Sequence, residues 1–276
     1  LDFSSTTWRL IRSAPGSGAW NMAVDEAILM AIGADDVLPT LRLYAWNPPC
    51  LSLGYAQKHS EVDWAAIQEC GWDVVRRPTG GRAILHTDEL TYSVIGPADE
   101  PRLAGGVLES YSRLAKGLSR GLIKMGMEVA AHEKYPLPPG SGPAGPVCFE
   151  IPSNYEITLG GKKLIGSAQA RRKEGVLQHG SLPLYGDLSR ITQALVFPTP
   201  EERLLAGTRL LSRATTVESG LGRQVSWEEA AECITQGFSE ALSLYLVEEP
   251  LSPTEIKNAR RLMTEKYAHP DWTRRV

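Results

Sequence analysis

The dipeptide Gly160-Gly161 constrains the fold more than any other feature of this chain. It separates two strand-like runs, residues 154–159 and 162–170. Two adjacent glycines can both take φ > 0, which the tight two-residue turns of a hairpin favour. Gly175 permits a second turn into a third run, residues 176–184. A meander of strands is therefore expected late in the chain. With Gly160-Gly161 at the hairpin tip, Lys163 stands opposite Thr158.

Other segments supply the rest of a mixed architecture. Residues 8–11 read as a short strand, interrupted between Gly16 and Gly18. Residues 21–30 carry apolar positions three and four apart, the spacing of a helix. Residues 40–46 alternate like a half-buried strand, ended by Asn47-Pro48-Pro49, and 50–55 form the next strand. A helix over 63–70 stops at Gly71. Strands follow at 73–77, 83–86 and 90–95, then a long helix over about 107–125. The remainder reads as helical, chiefly 201–205, 227–246 and 253–267, with Ser226 and Glu229 spaced as a capping box. This order predicts an α+β or α/β fold around one sheet.

A length of 276 residues fits one large domain, or one domain with a small appendage. The composition, 42% hydrophobic and 22% charged, is that of a soluble globular protein. A net charge of −3 gives no basic footprint for nucleic acid. No apolar run approaches the roughly 18 residues of a membrane span. The first residues carry no signal-peptide pattern, so a cytoplasmic location is expected. The cysteines, Cys50, Cys70, Cys148 and Cys233, include no C-x-x-C pair, which argues against a zinc site. Their wide scatter also argues against a disulfide framework. There is no H-E-x-x-H, no Walker loop and no G-x-G-x-x-G.

Two segments carry chemistry. Cys148 follows a Pro/Gly/Ser-rich stretch, residues 138–146, and precedes the strand that holds Lys163. A loop cysteine is accessible, and a nearby ammonium would favour its thiolate. A half-buried cysteine beside an ordinary surface lysine is the competing reading. The second segment is Arg76-Arg77-Pro78-Thr79-Gly80-Gly81-Arg82, running on to His86. Its glycines let backbone approach a ligand, and its arginines suit a carboxylate, a phosphate or an acidic protein. A plain Gly-Gly hairpin with solvated arginines would look alike. His86 and His179 are candidate general bases, though a structural role is expected of both. Asp88 and Glu89 face opposite ways on a strand and read as a solvated turn. Arg171-Arg172-Lys173 reads as a solvated hairpin tip, or as a steering patch for an acidic partner protein.

The glycine segment, together with residues 21–27, 51–55, 163–169 and 178–182, resembles the lipoate-protein ligase and octanoyltransferase superfamily. The resemblance covers about residues 8–190, and the helical tail also fits. It implies an α+β fold of the biotin/lipoate-ligase type, a mixed sheet flanked by helices with a helical C-terminal tail. Residues 1–248 would form the catalytic domain and 249–276 a helical extension packed on it. Arg82 stands where the ATP-dependent ligases carry a third glycine, and those ligases lack the loop cysteine. Both departures resemble octanoyltransferases of the LipM type.

That resemblance implies an acyl transfer from octanoyl-acyl carrier protein to a lysine of a lipoyl domain, such as a glycine-cleavage H-type protein. Cys148 would carry the octanoyl group as a thioester, and Lys163 would lower the thiol pKa and polarise the carbonyl. Arg77, Thr79, Gly80, Gly81, Arg82, His86, Gly166, Ser167, Ala168, His179 and Gly180 would shape the substrate site. Thioester exchange is near isoenergetic and aminolysis runs downhill, so no cofactor, neither ATP nor metal, is required. A monomer is expected. Cys148 lies ten residues before Thr158, about 33 Å along a straight strand, so the chain must double back for the pair to meet. An ATP-dependent ligase, an amidotransferase between carrier domains, and a non-catalytic acyl-binding or carrier-docking module are the alternatives.

Overall fold

The computed structural model describes residues 3–132 and 156–276. Strand β1 (Thr6–Arg12) precedes helix α1 (Gly18–Gly33), and strands β2 (Thr40–Tyr44) and β3 (Cys50–Leu53) follow. Helix α2 (Trp64–Glu69) leads to β4 (Asp73–Arg76), β5 (Ile84–His86) and β6 (Glu89–Gly96). Helix α3 (Val107–Lys124) comes next, then β7 (Ala130–His132), β8 (Glu156–Leu159), β9 (Lys162–Arg172) and β10 (Gly175–Pro183). The last part holds α4 (Pro200–Arg213), α5 (Val217–Leu221), α6 (Trp227–Leu242), β11 (Leu244–Glu248), α7 (Pro253–Leu262) and α8 (Pro270–Thr273).

Among the described residues, eight strands make one sheet in the order β11-β1-β2-β6-β10-β9-β8-β7, and β4-β3-β5 make a second. β11, β1 and β2 run parallel, and the remaining neighbours in the larger sheet are antiparallel. The expected mixed sheet with flanking helices is present, and so is the meander. Its register sets Lys163 against Thr158, as the Gly160-Gly161 turn predicts. One apolar core lies under α3 and α6, a second joins α1 to α7, and a third fills the space between the small sheet and α4.

Local signals explain most boundaries. Ser17 starts α1 by accepting from the Trp20 N–H, three residues on. Ser226 accepts from the Glu229 N–H as expected of a cap. The Glu229 carboxylate, however, pairs with Arg223 and does not close a capping box. α3 and α6 cross where glycines meet: a Cβ on Gly237 would stand 2.3 Å from the Gly121 nitrogen.

Several expectations are corrected. The helix expected over 227–246 ends at Leu242, where Ser243 turns left-handed at φ 52°. Leu244 to Glu248 then pair in parallel with β1. β2 is buried along its whole length, not half-exposed. The polar residue in its alternation, Arg42, answers a buried carboxylate on α1, not solvent. α4 extends well beyond the expected 201–205. The chain after β11 packs back on the body: Glu255 forms a buried ion pair with Arg9, and Lys266 holds Glu26 at 2.7 Å.

Candidate functional site

The glycine segment owes its shape to its arginines. The buried Arg76 guanidinium donates to the carbonyls of Gly54 and Gln57, each at 2.7 Å, and to that of Thr273, also at 2.7 Å. Arg77 donates to the carbonyls of Ser52 (3.0 Å), Gly80 (2.9 Å) and Arg82 (2.7 Å). Both arginines are buried, Arg77 on the loop's own backbone and Arg76 on that of Gly54, Gln57 and Thr273, so the solvated reading is wrong for them. The loop then lies so close to β3 that a Cβ on Gly54 would meet the Gly81 oxygen at 1.9 Å. Gly81 itself takes φ 94°, which favours glycine. Gly80 faces open space, and Arg82 is partly exposed, 3.6 Å from Glu61.

Between the two sheets, beside this loop, lies a half-open pocket, with about 360 Å³ of empty space counting its mouth. Arg77, His86, Gly166, Ser167, Ala168, His179 and Gly180 line it. The motifs of β9, β10 and the glycine segment, far apart in sequence, thus face one space. Thr79, Gly80, Gly81 and Arg82 are not in its wall. Thr79 reaches it through His179, its Oγ1 standing 2.6 Å from Nε2.

Two buried chains of acid, imidazole and hydroxyl brace the wall. In the first, Asp25 binds Arg42 at 2.7 Å and Ser93 at 2.9 Å, and stands 3.4 Å from His179 Nδ1. Burial raises the Asp25 pKa, but Arg42 and His179 outweigh it and hold the carboxyl below its ordinary range. Burial lowers the His179 pKa, against the pull of Asp25. The neutral imidazole therefore donates from Nδ1 to Asp25 and accepts at Nε2 from the Thr79 hydroxyl. In the second chain, His86 Nδ1 donates to Glu89 at 2.7 Å, and its Nε2 lies 2.7 Å from Ser52 Oγ. The ring stacks on Trp46 at 3.9 Å. Burial raises the Glu89 pKa, but His86, Thr91 and Ser181 together bring it below the ordinary carboxylate value.

Glu89 is therefore a buried partner of His86, not part of a solvated turn. Asp88 does face outward, to Arg190. Adjacent strand residues face opposite ways, so one of the two had to point inward. Asp25, Arg42, Trp46, Ser52 and Ser181 are site residues that sequence reasoning did not assign. For the polar four, a polar residue among apolar neighbours in a strand or helix was the available signal; Trp46 offered none. Arg171 is only partly solvated, since it donates to the Leu103 carbonyl at 2.6 Å and to Ser110 at 3.0 Å.

Lys163 is buried, 5% exposed, at the hairpin end of β9, and its carbonyl accepts from the Thr215 N–H at 3.0 Å. A bulge between β8 and β9 falls beside it. Cys148 lies outside the described residues, as does its approach to Lys163. Of the other cysteines, Cys50 is buried, and burial followed by the charge of Asp73 pushes its thiol pKa well up. It is a core residue. Cys70 is exposed and Cys233 partly buried. Among the described residues no group of His, Cys, Asp and Glu is arranged to hold a metal, and no helix is long and apolar enough to cross a membrane.

Comparison with known proteins gives this architecture relatives. An octanoyltransferase LipM of Symbiobacterium thermophilum is 43% identical over 275 residues, 98% of this chain and 99% of its own length. The octanoyltransferase LipM of Kyrpidia tusciae is 42% identical over 274 residues, again 98% and 99% of the two chains. A bi-partite lipoate protein ligase from Thermoplasma acidophilum superposes with a TM-score of 0.81, covering 98% of this chain and 96% of that one. At 24% identity that likeness speaks to the fold. The family model described as the lipoyl protein ligase A/B catalytic domain matches residues 17–239. That match takes in every residue of the pocket wall, and this chain belongs to the lipoyl protein ligase A/B catalytic domain family.

Proposed function

We propose that this chain is an octanoyltransferase of lipoate synthesis that takes octanoyl from octanoyl-acyl carrier protein and gives it to a lysine of an H-type lipoyl domain. The observation that carries the reading is the convergence of the glycine segment, β9 and β10 on one pocket, in a chain more than two-fifths identical to two octanoyltransferases over nearly its whole length. The two imidazoles of the wall already have partners, His179 in Thr79 and His86 in Glu89 and Ser52. An alkyl chain can enter without stranding them, which would otherwise cost free energy. Each methylene buried there contributes about 0.8 kcal/mol, so the depth of the pocket can select chain length.

The chemistry proceeds in two transfers. The Cys148 thiolate attacks the donor thioester, the carrier's thiol leaves, and the octanoyl group stays on sulfur. The acceptor amine then attacks that carbonyl, an amide forms, the C–S bond breaks and a proton is released. Lys163 favours the thiolate in the first transfer and steadies oxyanion charge in both. His86 and His179, tied to buried carboxylates, shape the acyl pocket.

Intact-protein mass spectrometry tests the reading. The enzyme, mixed with octanoyl-acyl carrier protein without ATP, should gain one octanoyl group, which a Cys148→Ala variant does not gain. Adding an H-type lipoyl domain should discharge it. Lipoyl-domain modification that needs ATP and free acid, with no enzyme adduct, would make the chain a ligase.

A further inference from the structure

A second cleft opens beside the acyl pocket, and the two share Ile84 in their walls. It holds about 460 Å³ of empty space counting its mouth. Ile84, Leu85, Leu188 and Leu210 give it apolar walls, and its charged residues, Asp88, Glu89 and Asp187, are all acids. The cleft lies at the Lys163 end of the larger sheet. Ser181, in the acyl pocket, pairs with Gly166 of β9. Pro183, in the cleft, stands two residues farther along β10, the direction in which antiparallel β9 runs back to Lys163. Leu210 accepts from the N–H of Ala214, the residue that Lys163 bridges.

Two of the three acids are already engaged. Asp88 pairs with Arg190, and Asp187 accepts from the Ser189 N–H at 2.8 Å. Glu89 differs. It is 6% exposed, and its hydrogen bonds, from His86, Thr91 and Ser181, all end on Oε1. Among the described residues Oε2 accepts none. A buried carboxylate oxygen without a donor costs free energy that an incoming donor would recover. The carboxyl is also ionised at neutral pH, since the donors on Oε1 outweigh its burial. Glu89 borders a further hollow beside Arg12 and Trp227 as well. That hollow has no residue in common with the acyl pocket, and the cleft does.

We infer that this cleft receives the side chain of the acceptor lysine, its methylene stem against the aliphatic walls and its ammonium on Glu89 Oε2. The inference rests on the transferase reading. A lysine joins a four-carbon apolar stem to three N–H donors and one positive charge. The cleft offers a surface for the stem and an unbonded carboxylate oxygen for the charge. The donor fits it poorly: its arm carries a phosphate, which Asp88, Glu89 and Asp187 would repel. Glu89 thus has two duties, one oxygen bracing His86 in the acyl pocket and the other holding the amine that attacks.

Single-turnover discharge tests the inference. The enzyme is loaded from octanoyl-acyl carrier protein, and loss of the octanoyl group is followed by intact-protein mass spectrometry. Glu89→Gln keeps the shape of the side chain without its charge, and Leu188→Trp fills the mouth of the cleft. The folding of both is checked by circular dichroism, and either variant suffices if the other fails to fold. The acceptor is an H-type lipoyl domain or hydroxylamine, a small amine uncharged at neutral pH. Glu89→Gln should slow discharge to the lipoyl domain about ten-fold more than discharge to hydroxylamine, a difference that general damage to the pocket would not produce. Leu188→Trp should slow discharge to the lipoyl domain about ten-fold. Equal slowing of the two acceptors by Glu89→Gln would overturn the channel, and so would unchanged lipoyl-domain discharge in either variant. An unaltered enzyme that takes no octanoyl from the carrier would overturn the transferase reading itself, and this inference with it.

Discussion

His179 ties the floor of the pocket to the glycine segment, because one ring nitrogen faces Asp25 and the other faces Thr79. Its burial makes stability depend on pH. The pKa of the ring in the folded protein lies below its ordinary value of 6.5, with burial the main cause. As pH falls below 6.5 the unfolded chain takes up a proton that the folded chain refuses. The stabilisation from a neutral His179 is thus complete above pH 6.5 and is lost as pH falls through the folded value. Urea unfolding between pH 7.5 and 5.5 should show a steeper loss in the unaltered protein than in His179→Gln. The difference has a ceiling of about 1.4 kcal/mol per pH unit. Equal slopes would mean that the fold leaves the His179 pKa where the unfolded chain has it. Asp25 has the opposite role of a fixed charge: Asp25→Asn leaves Arg42 buried without its counter-ion and should cost about 3–5 kcal/mol in urea titrations. A loss under about 1 kcal/mol would show that the other Arg42 partners suffice. Neither pairing was legible in the sequence. Asp25 and Arg42 read as polar faces of a helix and a strand, and only the contact between those elements turns the faces inward.

At the scale of elements, the crossing of α3 on α6 is set by glycine. A Cβ on Gly237 would press on the backbone of Gly121, which cannot yield as a flexible side chain would. In an open helix, Gly→Ala gains up to about 1 kcal/mol. Here overpacking should prevail, and Gly237→Ala should lose about 1–3 kcal/mol. A thermal melt that rises would refute the close crossing. Elements with strong local signals were legible: the β8-β9-β10 meander from its glycine turns, α3 from its amphipathic period, α2 from Gly71. Elements defined by distant partners were not. β11 reads as helix because it continues the apolar pattern of α6, and its strand pairing comes from β1, the first strand of the chain. α4 reads as short because its exposed leucines blur the periodicity that burial alone would leave. The pocket residues of β9 and β10 were legible by family resemblance, and their common orientation follows from a register that the Gly160-Gly161 turn makes predictable.

Across the whole molecule, the end of the described chain helps to hold the glycine segment near its middle. Arg76 joins the carbonyls of Gly54 and Gln57 to that of Thr273, and Trp272 Nε1 donates back to the Arg76 carbonyl at 2.8 Å. The Arg275 guanidinium lies over Tyr55 at 4.3 Å, and the His59 N–H donates to the Val276 carbonyl at 2.8 Å. None of residues 270–276 touches the pocket, yet together they fix the base from which Arg77 shapes the loop. Removing them would leave a buried guanidinium short of its acceptors, at a cost of about 3 kcal/mol. For a domain of this size that amounts to a melting temperature lower by about 10 °C. The loss should be local as well as global: amide exchange at Gly80, Gly81 and Arg82 should accelerate about ten-fold, while the β6-β10 ladder exchanges as before at temperatures well below the melt. Unchanged exchange in the loop would show that β3 and Arg77 position it without the tail. The expected pattern would instead make the C-terminal segment a structural part of the site, reached through one arginine and five carbonyl-bearing residues, and acyl-transfer rates of the shortened chain should fall in step with the loosening of the loop.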